Sequence, residues 1–211
     1  MNQQHNIYLT LKKGKLIVIE GIDQSGKKTQ SLLLKNKISK EGYKAGYISF
    51  PKYNSNTGKL IKKCLSNNDF SVELSHILLS ANRWEFREEI IKQLKENDFL
   101  VCNRYCDSNI AYGIANGLDR KWLMNLDIGL PKSDLTILID IPLTESVVRK
   151  SNARDRYEKN RKFLSEVRRK YKNLATKNKW QKINGNKSKK EVSNKIWEVV
   201  NKKYKIDKNE R

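Results

Sequence analysis

The stretch LIVIEGIDQSGKKT, residues 16–29, decides the fold, because a short apolar run leads into a glycine-rich turn and then into a helical pattern. Gly21, Gly26 and Lys27 match the phosphate-loop pattern G-x-x-x-x-G-K. Glycines let the backbone wrap so that several N–H groups face one phosphate, and the lysine reaches the outer phosphates. The pattern predicts an ATP site. The residues predicted to bind ATP are Gly21, Ile22, Asp23, Gln24, Ser25, Gly26, Lys27, Lys28 and Thr29.

Further apolar, β-branched runs recur along the chain and alternate with longer segments of period near 3.6. The predicted strands are residues 16–19, 45–49, 99–102, 135–140 and, more weakly, 180–183. Strands separated by helices indicate βαβ units and a parallel sheet covered by helices on both faces. We therefore predict an α/β fold with a five-stranded parallel sheet, in a single domain over residues 1–211 without an internal linker.

Two helical segments carry apolar stripes that we predict to face the core. The stripe residues are Leu32, Leu33 and Ile38 in the first segment and Leu74, Ile77, Leu78, Ala81 and Trp84 in the second. Pro142 is expected to start a further helix. Residues 151–162 are highly charged and poor in apolar side chains, so we predict that they form an exposed lid.

The charge of the chain is strongly basic, with 44 Lys and Arg against 23 Asp and Glu and a net charge of +21. Such a field attracts polyanions, so nucleic acid is considered beside phosphate-bearing small molecules. Lysines recur singly among Asn, Ser and Glu, which is typical of solvated helix faces, and no aromatic residues interleave with them. The lysine pattern therefore favours solvated helix faces over a nucleic-acid interface, and nucleic-acid binding is kept as an alternative function.

The sequence also predicts a cytoplasmic protein. No run approaches the roughly 20 apolar residues of a membrane span, and residues 1–11 lack the apolar centre of a leader. Cys64, Cys102 and Cys106 are odd in number and form no CxxC pair, so we expect reduced thiols.

The metal side of the predicted ATP site is unusual. Lys28 stands where the motif expects the Ser or Thr that ligates Mg²⁺, and Thr29, one residue on, is rotated by about 100° around a helix. An ammonium group there would repel the metal. Alternatively, Lys28 turns to solvent and Mg²⁺ is held by phosphates, water and an acidic neighbour, or Lys28 itself neutralises phosphate charge.

Seven motifs occur in one order over residues 14–198. They are IEGIDQSGKKTQ from Ile19, SFPKY from Ser49, SANRWE from Ser80, VCNRY from Val101, SNIAYG from Ser108, DIGLPKSDL from Asp127 and DRYE from Asp155. With these motifs the chain resembles the thymidylate kinases, especially their archaeal, eukaryotic and poxviral branch. The resemblance implies the P-loop nucleoside-monophosphate-kinase fold, ATP and Mg²⁺ as cofactors, dTMP as acceptor, and a homodimer.

The resemblance also implies roles for residues of the acceptor site. Asp23 matches the carboxylate that accepts the 3'-hydroxyl of the sugar, with capping of the turn as its alternative role. Phe50 lies where the family lines the monophosphate pocket, although it is equally plausible as core. Arg83 resembles the arginine that hydrogen-bonds the thymine edge, and Arg104 the arginine that clamps the acceptor phosphate. A surface salt bridge is the alternative for either arginine.

Three further positions match the family's contacts to base and sugar. Ser108 and Tyr112 fall in the segment that holds the nucleoside, and Tyr157 matches the lid tyrosine packed against the sugar; plain packing would also explain the tyrosines. The residues predicted to be catalytic are Lys27, Arg104, Arg154 and Arg156, the last two in the lid.

Several positions depart from the family pattern. Gln24 cannot supply the positive charge of an arginine, which favours catalytic arginines in the lid, and Asn103 replaces an aspartate near Mg²⁺, where it would act without ligating the metal directly. Tyr53, which we still place in the substrate site, replaces a phosphate-contacting arginine, and Leu79 replaces an aromatic residue. These departures motivate two alternatives to dTMP kinase activity: a kinase with relaxed deoxynucleotide preference, and a weakly active nucleotide-binding paralogue.

Overall fold

The computed structural model describes residues 13–66, 70–148 and 161–206. Its sheet has five parallel strands in the order β2-β3-β1-β4-β5. The strands are β1 Lys15–Glu20, β2 Ala45–Ser49, β3 Phe99–Asn103, β4 Leu135–Asp140 and β5 Gln181–Asn184. The predicted five-stranded parallel sheet is therefore confirmed, with each predicted strand found within one residue at either end.

Helices connect the strands and cover both faces of the sheet. Those in the described residues are α1 Lys27–Lys40, α2 Asn56–Ser66, α3 Val72–Glu85, α4 Arg87–Glu96, α5 Cys106–Ala115, α6 Arg120–Asn125, α7 Leu143–Val148, α8 Arg161–Lys177 and α9 Lys189–Tyr204. α7 begins directly after Pro142, as predicted. Of the predicted lid, Arg161 and Lys162 belong to α8, and the rest lies outside the described residues.

The strand β1 lies at the centre of the sheet and is buried on both faces, which explains why its sequence is a continuous apolar run. Ile17 and Ile19 pack toward α1 and α9. Leu16 and Val18 pack on the opposite face, toward α4. Because parallel strands end at one edge, β1 delivers the glycine-rich turn to the same edge as the end of β3.

The predicted core stripe of α1 was partly wrong. Leu34 and Ile38 are the apolar residues that α1 buries against the sheet, whereas Leu32 is 37% exposed and Leu33 is half-buried. Residues 34 and 38 are four apart and therefore share one face of the helix, which is the face that packs against the sheet. Residues 32 and 33 lie on other faces of α1.

The predicted stripe of α3 was confirmed only in part: Trp84 packs against the core, whereas Leu74 and Ile77 do not face it. Leu74 is 40% and Ile77 42% exposed, while the buried side of the helix is polar. The buried residues of α3 are Ser75, His76, Ser80, Asn82 and Arg83. Polar groups are buried where hydrogen bonds satisfy them, and this side of α3 faces polar partners on α5 and the loop after α6.

Among the described residues, no helix has the length and apolar character needed to span a bilayer.

Candidate active site

The glycine-rich turn between β1 and α1 has the backbone of a tight phosphate-binding loop. Gly26 has a left-handed φ of 88°, and a Cβ on Gly21 would come within 2.5 Å of the Ile139 carbonyl oxygen. Both positions therefore need glycine. Gln24 also has a positive φ, of 63°. The curvature turns successive N–H groups toward one centre, so the turn fits the phosphates of ATP.

Lys27 is the first residue of α1, and its side chain folds back into the turn. The Nζ atom donates to the Ile22 carbonyl at 2.5 Å and approaches Ser25 Oγ at 3.5 Å, and the residue is only 6% exposed. The ammonium thus lies inside the loop, where a phosphate would meet it. Lys28 and Thr29 are exposed, which agrees with the alternative in which Lys28 faces solvent.

Asp23 of the same turn reaches across to residues of β3 and α5. Its carboxylate forms an ion pair with Arg104 Nη2 and accepts a hydrogen bond of 2.7 Å from the Tyr112 hydroxyl. Burial alone would raise the pKa of Asp23, but the charges of Arg104 and Lys27 outweigh it and lower that pKa to about 2. The carboxylate is therefore ionised at neutral pH.

Arg104 follows β3 and stands at the centre of a polar network. Its backbone has a left-handed φ of 62°, and its N–H donates to the Ile19 carbonyl at 3.1 Å. Its Nη1 atom donates to Ser108 Oγ at 3.2 Å and to the Tyr171 hydroxyl at 3.3 Å. Burial opposes the charge, but Asp23 stabilises it and the pKa of Arg104 is well above its usual range. Arg104 is thus a fixed positive charge facing the pocket.

Arg83 of α3 forms a buried ion pair with Asp127, in the loop after α6. Its Nε and Nη2 atoms donate to Asp127 Oδ1 at 3.1 and 3.0 Å, and Nη2 also reaches Oδ2 at 2.7 Å. The two side chains are 3% and 6% exposed. Burial by itself would lower the pKa of Arg83, but the charge of Asp127 outweighs burial and the pKa lies above its usual value. Ser80 also donates to Asp127 Oδ1, at 2.7 Å, so the carboxylate is held from two sides.

These side chains surround one pocket at the carboxyl edge of the sheet. Its lining residues are Asp23, Phe50, Pro51, Tyr53, Leu65, Leu79, Arg83, Arg104, Tyr105, Ser108, Asn109 and Tyr112. Every described residue that was predicted to bind the acceptor lies in this pocket. Phe50 is at the same time core, because it is 5% exposed and packs with Tyr105 at a ring-centroid distance of 6.1 Å. Arg154, Arg156 and Tyr157 lie outside the described residues.

The residues present fit a magnesium ion bound mainly by phosphates and water. No group of three His, Cys, Asp or Glu that could hold a metal occurs in the part of the chain that is described. Asn103, at the end of β3, donates to Ser49 Oγ at 2.9 Å, while its buried Oδ1 has no hydrogen-bond partner among these residues. An amide oxygen of this kind can accept a hydrogen bond from a metal-bound water.

Several residues that build the site have no role predicted from the sequence. Glu20 and Tyr171 hold Ser108 and Arg104, Asp127 holds Arg83, and Asn109 lines the pocket while hydrogen-bonded to His76 at 2.7 Å. Glu20 had a local signal, since a carboxylate ends an otherwise apolar strand. Tyr171 had none, because it lies in a lysine-rich helix 151 residues away from Glu20 in the sequence.

A phosphate loop whose Asp23 also lines a neighbouring pocket with two arginines fits two phosphorylated ligands side by side. The fold and the site therefore define a P-loop kinase of nucleoside monophosphates. Residues 19–196 match the family model described as thymidylate kinase. The chain belongs to the thymidylate kinase family.

Individual relatives agree with this family. The chain is 36% identical over 195 residues to the thymidylate kinase of Plasmodium falciparum, covering 90% of this chain and 91% of that protein. It is 34% identical over 152 residues to the human thymidylate kinase, covering 71% and 72% of the two chains. The solved thymidylate kinase of Candida albicans, described as having broad substrate specificity, superposes with a TM-score of 0.77 at 30% identity, covering 92% of this chain and 94% of that one. As a group, these relatives do not favour the two alternatives to dTMP kinase activity.

Proposed function

We propose that the protein transfers the γ-phosphoryl group of ATP to dTMP, giving dTDP and ADP for dTTP biosynthesis. The observation that carries the proposal is Asp23, which belongs to the phosphate loop and also lines the acceptor pocket in contact with Arg104 and Tyr112. A single side chain thus joins the donor and acceptor sites. Membership of the thymidylate kinase family supports the choice of dTMP.

The residues of the site act by positioning and by charge. The loop amides and Lys27 hold the donor phosphates, and Arg104 holds the acceptor phosphate so that one of its oxygens attacks the γ-phosphorus in line. That oxygen is already ionised, so no general base and no covalent enzyme intermediate are needed. The acceptor phosphate competes with Asp23 for Arg104 Nη2, and a released Asp23 carboxylate is then available to the 3'-hydroxyl of the sugar.

The base of the acceptor is recognised by Arg83. Asp127 takes the Nε and Nη2 donors of Arg83, which leaves Nη1 for a carbonyl oxygen on the thymine edge. Tyr112 offers a ring face to the pyrimidine, and Phe50 and Tyr53 contribute apolar surface around the nucleotide.

The lid and the metal complete the proposed site. Arg154 and Arg156 would close over the transferring phosphoryl group and supply the charge that Gln24 cannot, and Tyr157 would contact the sugar. Mg²⁺ bound to ATP neutralises charge on the transferring phosphates. Asn103 would hold a metal-bound water through its amide oxygen. Residues 1–211 then form one kinase domain with the lid at 151–162.

We also propose that the protein is a cytoplasmic homodimer whose two subunits contact each other through α3. The exposed Leu74 and Ile77, three residues apart on this helix, give it an apolar outer face. A second copy of this chain would cover that face, and size-exclusion chromatography with light scattering would report the dimer. Three free cysteines support a reducing compartment.

A coupled assay with ATP, Mg²⁺ and dTMP tests the proposed activity. Lys27→Met is expected to lower kcat by about 10²–10³-fold, since it removes the ammonium inside the loop. Lys40→Ala, in the last turn of the same helix, changes an exposed lysine and is the matched control. Wild-type protein that forms no dTDP would refute the activity.

A further inference from the structure

Glu20 is a buried carboxylate at the junction of the donor and acceptor sites. It ends β1, directly precedes Gly21 of the phosphate loop, and is 0% exposed. An ionised carboxylate is costly to bury unless donors surround it. Three neutral donors do so: the Tyr105 N–H at 2.8 Å, Ser108 Oγ at 2.6 Å and the Tyr171 hydroxyl at 3.0 Å.

The same two hydroxyl groups connect Glu20 to Arg104. A guanidinium group only donates hydrogen bonds, so the oxygens of Ser108 and Tyr171 must accept from Arg104 Nη1. Their protons must then point elsewhere, and Glu20 Oε2 lies within hydrogen-bond distance of both hydroxyls. The two hydroxyl oxygens are also 2.8 Å apart, so one proton can be shared between them while the other is donated to Glu20. The carboxylate thus anchors this pair of hydroxyls and keeps their oxygen lone pairs directed at Arg104.

Glu20 also supports the backbone at Arg104. Arg104 holds a left-handed φ of 62°, a conformation that is strained for a non-glycine residue. The next residue, Tyr105, donates its N–H to Glu20 Oε1. One carboxylate therefore restrains both the main chain beside Arg104 and, through two hydroxyls, its side chain.

We propose that Glu20 is a positioning residue that fixes the acceptor-phosphate arginine, Arg104, relative to the donor phosphate loop. The proposal rests on the proposed role of Arg104 in holding the acceptor phosphate. Because Glu20 is bonded covalently to Gly21 and by hydrogen bonds to the surroundings of Arg104, the two phosphate grips share one rigid support. In-line transfer is sensitive to small displacements of the reacting groups.

The variant Glu20→Gln tests this proposal, because it keeps the shape of the side chain and one acceptor oxygen. Its NH₂ group accepts no hydrogen bond and must face either the two hydroxyls or the Tyr105 N–H, so either the hydroxyl pair or the main chain beside Arg104 loses its acceptor. We expect the Kd of dTMP to rise about 10-fold and kcat to fall about 10–100-fold, as for a misplaced reactant. The Kd of ATP is expected to stay within about twofold, since the loop contacts are unchanged.

A double-mutant cycle separates positioning from general stability. In the background Ser108→Ala with Tyr171→Phe, the hydroxyl link is absent, so Glu20→Gln should add much less to the Kd of dTMP than it does in the wild type. A fully additive effect, or equal weakening of dTMP and ATP, would overturn the proposal even if the melting temperature falls. If Glu20→Gln does not fold, the single variants Ser108→Ala and Tyr171→Phe are the test. An unchanged Kd of dTMP in both variants would overturn the positioning proposal.

Arg104→Lys belongs in the same panel. If this variant binds dTMP as tightly as wild type, the role of Arg104 is wrong, whatever Glu20 does. If Arg104→Lys weakens dTMP and Glu20→Gln does not, only the positioning proposal fails.

Discussion

The donor loop and the acceptor pocket are built by different kinds of contact. Lys27 is held by a carbonyl only five residues earlier in the chain. In the pocket, by contrast, Asp23 meets Arg104 over a separation of 81 residues, and Arg83 meets Asp127 over 44. Local contacts form from a short stretch of sequence, whereas long-range contacts depend on the whole sheet and its helices. The donor site should therefore tolerate distant changes that damage the acceptor site.

The largest expected effect comes from removing Arg104. Arg104→Ala should lower kcat/KM for dTMP by on the order of 10³-fold, because a preorganised charge is lost, while ATP binding changes little. Steady-state kinetics with each nucleotide varied in turn measures both effects. Arg169→Ala, at an exposed ion pair on α8, is the control. Equal losses for dTMP and ATP would remove the contrast between the two sites.

A smaller but still large effect is expected from Asp127→Ala. It leaves the charge of Arg83 buried without a partner, so the free energy of unfolding should fall by about 3–5 kcal/mol. Denaturant titration gives this value. The double variant Arg83→Met with Asp127→Ala is expected to be more stable than Asp127→Ala alone, and the reverse order would show that the ion pair is not the cause.

The pH dependence of stability offers a third comparison, through His76. Burial lowers the pKa of His76 below 6.5, and Asn109 and Asn116 contact its two ring nitrogens at 2.7 and 3.3 Å. The unfolded chain takes up the proton first, so the His76 contribution is complete above pH 6.5 and is lost as the pH falls.

Asp107 acts in the opposite direction. Burial, followed by the charge of Glu20, raises its pKa to about 7, so proton uptake below that pH stabilises the fold. The effect of His76 must therefore be taken as the difference between wild type and His76→Gln, each unfolded in denaturant at pH 7.5 and 5.5. As the pH falls, the free energy of unfolding of the wild type should decrease by up to about 1.4 kcal/mol per pH unit more than that of the variant. The same pH dependence of the free energy of unfolding in both proteins would contradict a buried neutral His76.

The smallest effects are expected at the metal side of the donor site. Lys28→Ser should change kcat by less than about twofold, since Lys28 is exposed. Asn103→Asp should lower the Mg²⁺ concentration that gives half-maximal activity, because a carboxylate replaces a buried amide oxygen without a partner in the described chain. The measurement is a magnesium titration of the activity of both variants. A changed Mg²⁺ requirement in Lys28→Ser but not in Asn103→Asp would show that Lys28, and not Asn103, affects the metal.

Much of the fold and of the site could be predicted from the sequence. The apolar runs predicted all five strands, since a parallel sheet buried on both faces needs continuous apolar residues. The seven described residues that were predicted for the acceptor site lie in motifs in register, and they meet in one pocket. The facing of α3 could not be predicted, because its outward residues Leu74 and Ile77 are apolar and its inward Asn82 and Arg83 are polar.

The sequence by itself determined the order of strands and helices, the phosphate loop and the family, because these depend on residues adjacent in the chain. Only the tertiary structure decided which groups hold the arginines in place. Glu20 and Tyr171 are partners because β1 pairs with β4 and α8 packs against β4. Asp127 reaches Arg83 from the loop after α6. Hydrogen bonds act over about 3 Å in space whatever the separation in sequence, so such partners become visible only when the chain is folded.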